Sequence, residues 1–179
     1  MRLINPYLDL FKVLESESAL LRLSTRKKLV WAYAWAVPND EAIAAVAALS
    51  PLVELGAGTG YWAWLLGQAG ARVTPYDVEP DQPPRWCEIR EGGPESLGAH
   101  SDESLFLCWP PLDDPMASEA LAAFRGKQVA YVGEPRGGRT ADDGFFDLLE
   151  RDFVLEREIA LPAWPGFQDR LTIHTRRSL

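Results

Sequence analysis

The chain has 179 residues, 47% of them hydrophobic and 25% charged, which fits a single globular domain and excludes a disordered or repeat protein. Eighteen Lys and Arg against 26 Asp and Glu leave a formal charge of −8, the wrong sign for broad nucleic-acid binding. The two cysteines, Cys87 and Cys108, make neither a disulfide framework nor a CxxC zinc pair, and the sequence shows no metal-ligand cluster.

The first residues, MRLINPYLDLFKVLESES, carry acids where a signal peptide needs an apolar core. Apolar runs such as AIAAVAAL are shorter than the roughly 18 residues a membrane span requires, so the expectation is a soluble, cytoplasmic protein. Tyr7, Leu10, Phe11 and Leu14, followed by Leu20, Leu21 and Leu23, predict one or two amphipathic helices with these side chains inward. The basic stretch LRLSTRKK, Leu21 to Lys28, reads as a solvated helix face. Pro38 ends this region. PNDEAIAAVAALS then starts a fresh helix, with Asn39 or Asp40 accepting from its first free N–H groups and Glu41 at the positive end of its dipole.

Next come a short apolar run, PLVEL, the turn GAGTG, a helix YWAWLLGQAGA stopped by Gly70, and a strand RVTPYD. Strand, helix and strand of this length imply a parallel pair joined by a right-handed crossover. Residues 78–99 are rich in Pro, Gly and charge, with a third strand in RWCEIRE. SLFLCW is a buried strand, MASEALAAFRG a helix stopped by Gly126, KQVAYVGE another buried strand and ADDGFFDLLERD a helix. FVLEREIAL and DRLTIHTRR flank the loop PAWPGFQ with no helix between them, which predicts a terminal antiparallel hairpin. The order is that of an α/β domain.

VELGAGTG is the most informative stretch. Glycines between a strand and a helix let the backbone turn sharply and let a ligand approach where a Cβ would intervene. The dinucleotide fingerprint GxGxxG is not met, because Gly60 comes one residue early and Tyr61 stands where the third glycine is needed. Glu54, Gly56, Gly58 and Gly60 instead resemble motif I of the class I S-adenosylmethionine (SAM) dependent methyltransferases, E/D-x-G-x-G-x-G. The resemblance implies a doubly wound, mostly parallel seven-stranded α/β sheet with an antiparallel C-terminal hairpin strand and helices on both faces. It covers residues 39–179 as the SAM-binding domain, with residues 1–38 as a helical extension packed on it.

By the same resemblance, Glu54, Gly56, Ala57, Gly58, Gly60, Asp77, Glu91 and Cys108 bind the cofactor, SAM, whose product is S-adenosylhomocysteine (SAH). Asp77, ending the second strand, falls where the family grips the ribose; one carboxylate can accept from two hydroxyls. Tyr33 and Trp35 either cover the cofactor or substrate or pack the N-terminal helices onto the sheet. LCWPP resembles motif IV of the amino-methyltransferases, (D/N/S)-P-P-(Y/F/W), but Trp109 replaces its acceptor and Leu112 its stacking ring. Trp109 and Pro110 therefore mark the substrate pocket without that chemistry. Asp113 and Asp114 either contact substrate or cap the next helix. His100, Glu134 and Asp113 are the catalytic candidates, with His174, Arg136 and Arg139 further possibilities for base or substrate contact. The implied reaction is in-line methyl transfer to a small molecule, with a non-catalytic SAM-binding or regulatory partner protein as the alternative. The acidic charge disfavours a nucleic-acid substrate, and a homodimer is compatible with the sequence.

Overall fold

The computed structural model describes residues 3–178. Seven strands form one sheet in the order β3-β2-β1-β4-β5-β7-β6. They are β1 (Leu52–Leu55), β2 (Val73–Asp77), β3 (Arg90–Glu91), β4 (Ser104–Cys108), β5 (Gln128–Gly133), β6 (Phe153–Ala160) and β7 (Arg170–Arg176). Neighbours from β3 to β5 pair in parallel, and β7 runs antiparallel to both β5 and β6, as the terminal hairpin predicts. RWCEIRE shrinks to the two residues of β3, because Trp86 turns its N–H to the Thr59 carbonyl at 2.8 Å and its indole to that of Ala32, away from β2.

Helices α1 (Pro6–Leu14), α3 (Asp40–Ala47) and α4 (Tyr61–Gln68) cover one face of the sheet, burying Phe11, Ile43, Val46 and Leu65 against Leu52, Phe106 and Ile173. A short 3-10 helix (Pro94–Ala99), α5 (Met116–Ala123) and α6 (Asp143–Asp152) cover the other over Val53, Leu105 and Val129. Asn39 caps α3 by accepting from the Ala42 N–H at 2.8 Å. Helix α5 stops at Phe124, whose backbone is extended, two residues before the expected glycine.

The register positions the site. Leu55 pairs with Tyr76 on one side and Leu107 on the other, so Gly56, Asp77 and Cys108 emerge level with one another at the strands' carboxyl ends. The order turns outward in both directions from β1 and β4, and open α/β sheets bind ligands at this switch point.

Helix α2 (Ala19–Ala32) overturns its predicted orientation. Leu20, Leu21 and Leu23 are exposed, whereas the stripe Arg22, Arg26 and Val30 faces the protein. The cause is the surface beneath. Arg22 lies 5.3 Å from the Phe11 ring centroid and Arg26 lies 4.1 Å from that of Phe167, and aromatic faces attract guanidinium groups. Of the four basic residues in the stretch read as a solvated face, Arg22 and Arg26 turn inward and Lys27 and Lys28 outward.

Tyr61 explains why the third dinucleotide glycine is absent. Fully buried, its hydroxyl donates to Asn5 Oδ1 at 2.8 Å and accepts from the Tyr7 N–H at 3.1 Å, joining the extension to the residue after the glycine turn. Tyr61→Ala should destabilise the protein by about 3–5 kcal/mol, as truncation of a buried aromatic does. It should also speed amide exchange across residues 3–33 more than across β4 and β5; uniform acceleration would show that the extension is not held through this side chain.

Candidate functional site

A cleft opens at the carboxyl ends of β1, β2 and β4, floored by Glu54, Gly56, Gly58, Asp77 and Cys108 and walled by Trp31, Tyr33, Trp35 and Trp62. The glycine turn makes it. Gly56, Gly58 and Gly60 all have positive φ, at 69°, 55° and 73°. A Cβ on Gly60 would stand 2.6 Å from the Cys87 sulfur, so that position is closed by packing. A Cβ on Gly58 would meet nothing within 4 Å, so that glycine borders open space in the cleft.

Asp77 is held from both sides. Its Oδ2 accepts from the Gly58 N–H at 2.8 Å and its Oδ1 from the Glu79 N–H at 2.9 Å, which ties the end of β2 to the glycine turn. Each oxygen retains a further lone pair. Glu54 differs: it is buried, and its Oε2 has no hydrogen-bond partner. Burial, reinforced by the nearby Asp77 charge, pushes its carboxyl up to about 8. Trp62, in the first turn of α4, likewise presents an unpartnered buried indole N–H, on the same cleft. An orphan acceptor and an orphan donor on one cleft leave polar capacity for a ligand. Sequence reasoning passed over Trp62; its only signal was its place just after the glycine turn.

Cys108 borders the cleft, and burial raises its thiol well above the ordinary range, so it is neutral there. Glu91 is exposed on the edge strand, paired with Asp77 through the backbone, and does not line the cleft. Loop residues Glu79, Gln82 and Pro83 occupy that wall instead.

Tyr33 lines the cleft by its edge only. Tyr7 stacks on it at 4.9 Å and Trp86 at 5.4 Å, and its backbone carbonyl accepts from the Thr59 hydroxyl. Its faces are therefore used in packing the extension. Trp35 lines the cleft and stacks on Trp109 at 5.1 Å, half exposed. Trp109 has φ of 56°, rare for a bulky residue, and its indole donates to Asp169 Oδ1 at 2.7 Å. Pro110 is buried, its carbonyl accepting from the Ala141 N–H at 2.9 Å.

The catalytic candidates scatter. His100, expected in a polar loop, is buried, with Nε2 3.1 Å from the Tyr76 hydroxyl and Nδ1 3.1 Å from Glu103, and does not reach the cleft. Glu134 is buried and saturated, accepting from the backbone N–H groups of Arg139 (2.8 Å) and Gln168 (2.9 Å) and from the Arg139 guanidinium (3.2 Å). Asp113 is exposed with φ of 56°, while Asp114 accepts from the Met116 N–H at 2.9 Å and so caps α5. His174 lies beside Phe146, Leu149 and Leu155 on the other face of the sheet, and burial lowers it to about 4. Arg136 pairs with Asp147 at 2.7 Å on the surface. Among the described residues no cluster of three or more side chains could hold a metal ion, and no helix is long and apolar enough to cross a membrane.

No protein-family model matches the chain, and no curated protein sequence matches it. Solved structures do. The 1,6-didemethyltoxoflavin-N1-methyltransferase of Burkholderia thailandensis, with its substrate and SAH bound, superposes with a TM-score of 0.56 at 17% identity, covering 89% of this chain and 88% of its own. Magnesium protoporphyrin IX methyltransferase from Synechocystis, with SAM bound, gives 0.53 at 13% identity over 90% and 85%. The N-methyltransferase NodS of Bradyrhizobium japonicum, with SAH bound, gives 0.53 at 13% identity over 72% and 79%. The fold is that of the class I SAM-dependent methyltransferases.

Glu54 sets a pH signature. Its carboxyl sits near 8 in the fold against an ordinary 4.5, so the folded state binds the extra proton and stability falls as pH rises from about 4.5 to about 8. Glu54→Gln removes that slope. Melting curves from pH 4 to pH 9 should show the wild type losing stability relative to the variant across this window, by at most about 1.4 kcal/mol per pH unit. A constant difference would place Glu54 outside the buried, unpaired state described.

Proposed function

We propose that the protein is a SAM-dependent methyltransferase acting on a small molecule, with residues 39–179 as the SAM-binding domain and residues 1–38 as its helical cover. The observation that carries this reading is Glu54: a buried carboxyl with an unpartnered oxygen, facing the same cleft as the orphan indole N–H of Trp62. SAM's methionine end offers an ammonium for the first and a carboxylate for the second. Asp77 presents the spare lone pairs of both oxygens to ribose hydroxyls, held in place by its own two backbone bonds. Gly58 leaves room for the ligand, and the extension lines one side of the cleft with Trp31, Tyr33 and Trp35. The residues present thus fit the cofactor.

When bound, SAM supplies an electrophilic methyl group open to in-line displacement. The protein's share is placement and desolvation of the two reactants, which by itself accounts for large rate gains without a dedicated base. The scatter of His100, Glu134 and Asp113 away from the cleft agrees with a reaction run by placement. The negative charge of the chain and the aromatic lining of the cleft favour a small acceptor over a nucleic acid.

Calorimetry with SAM and SAH tests this. Asp77→Ala should weaken binding by about 1.5–3 kcal/mol, the worth of hydrogen bonds to a charged acceptor. At pH 7 the free protein holds Glu54 protonated, and an ammonium beside it favours the carboxylate, so binding should release a proton and tighten as pH rises toward about 8. The binding heat should therefore vary with the buffer's ionisation heat, and Glu54→Gln should abolish that variation. No binding of either ligand at millimolar concentration would reject the enzyme reading.

A further inference from the structure

Beyond Trp35 the cleft's wall has a second side. There Trp35, Trp109 and Phe167 lie around the guanidinium of Arg26, at 5.5, 5.7 and 4.1 Å from their ring centroids, and the Arg139 guanidinium shares Phe167 at 4.5 Å. Asp169 closes the group: it is 4% exposed, its Oδ1 accepts from the Trp109 indole at 2.7 Å, and its Oδ2 has no partner. Glu134 and Arg139 stand nearby but neutralise each other at 3.2 Å. Without Arg26, the aromatic box would therefore hold a buried carboxylate with an unpartnered oxygen and, as its nearby cation, only Arg139, which Glu134 already pairs.

Arg26 fits this box poorly as a permanent occupant. Its Nε and Nη2 are buried with no hydrogen-bond partner, and such groups cost free energy that a well-matched donor would recover. The helix that carries it is lightly held: Val30 is the buried residue of α2, while Leu20, Leu21, Leu23 and Trp31 are exposed. Segments with few buried apolar contacts open at low free-energy cost. Trp109 is turned toward Asp169 by a left-handed backbone that costs about 1–2 kcal/mol for an L-residue, and strain of this kind clusters at ligand sites.

We infer that Trp35, Trp109, Phe167 and Asp169 form a binding site for an organic cation, and that Arg26 fills it from within the chain until that ligand displaces α2. Trp35 belongs to both the SAM cleft and the box, so the box is the acceptor site, and the cationic group belongs to the methyl acceptor. That assignment to the acceptor rests on the methyltransferase reading; the cation site itself does not.

The experiment titrates the full chain and its variants with methylguanidinium chloride and, separately, with sodium acetate, followed by calorimetry and tryptophan fluorescence. Arg26→Ala should bind methylguanidinium about tenfold or more tighter than the wild type, the scale of a desolvated cation–aromatic contact. Adding Asp169→Asn to that variant should return the affinity to the wild-type level. Arg26→Met, which keeps the apolar stem, should behave as the alanine variant does and serves if the latter fails to fold. Equal methylguanidinium affinity in wild type and both Arg26 variants would overturn the inference, as would acetate binding by the wild type that the Arg26 variants lose. A parallel SAM titration of the wild type separates the two readings. Cation binding without SAM binding rejects the methyltransferase alone, and SAM binding without cation binding rejects the box alone.

Discussion

The site depends on one contact, the buried Tyr61 hydroxyl between Asn5 and Tyr7. Tyr61 follows the last glycine of the turn, so the backbone that must bend for a ligand is also the backbone that holds the N-terminal extension. From that anchor the Tyr7, Tyr33 and Trp86 rings stack in sequence, and the Trp86 indole donates to the Ala32 carbonyl at 2.8 Å. The end of α2 is thereby fixed at the cleft's rim, while the helix before it rests on arginine–aromatic contacts. A dinucleotide-binding turn keeps this position small for close helix–strand packing. Here a large side chain takes it, and the gain is a wall.

Two buried carboxyls carry unpartnered oxygens, and they differ in kind. Glu54 is fully buried and pushed up to about 8, with Asp77 as its nearest charge. Asp169 is raised only to about 6, because the Trp109 hydrogen bond and the charges of Arg26 and Arg139 offset part of its desolvation. At neutral pH the first is mostly protonated and the second mostly ionised. On the proposed reading the cleft would therefore meet a ligand ammonium by giving up a proton, whereas Asp169 already carries a charge that attracts a cation. Perturbed acids of this sort are expected where a protein binds charged groups rather than where it merely packs.

Much of this was legible in the chain. Strand, glycine turn, helix and strand follow from apolar runs and glycine spacing, and the register then fixes Gly56, Asp77 and Cys108 at one level without further information. The terminal hairpin followed from the absence of a helix between two strand-like runs. The place of Glu54 was readable because it adjoins the turn in sequence, and that of Asp77 because it ends the next strand, which the register brings level with the turn. Glu91 was not, because β3 is two residues long and periodicity has nothing to act on there. His100 misled because its polar neighbours hid the partners, Tyr76 and Glu103, that make burial tolerable.

The extension shows where pattern reading inverts. Hydrophobic periodicity assumes that what lies beneath a helix is aliphatic, so leucines turn in and arginines out. Beneath α2 lie Phe11, Trp35, Trp109, Phe167 and an acid, and on such a surface a guanidinium gains more than a leucine does. Arg26 is separated from Phe167 and Asp169 by some 140 positions, so no local window could have joined them. The LCWPP stretch gains its meaning from the same geometry. Trp109 supplies neither the acceptor nor the stacked ring of an amino-methyltransferase motif; its indole instead donates to Asp169 and its ring stacks on Trp35, which fixes both beside the Arg26 guanidinium.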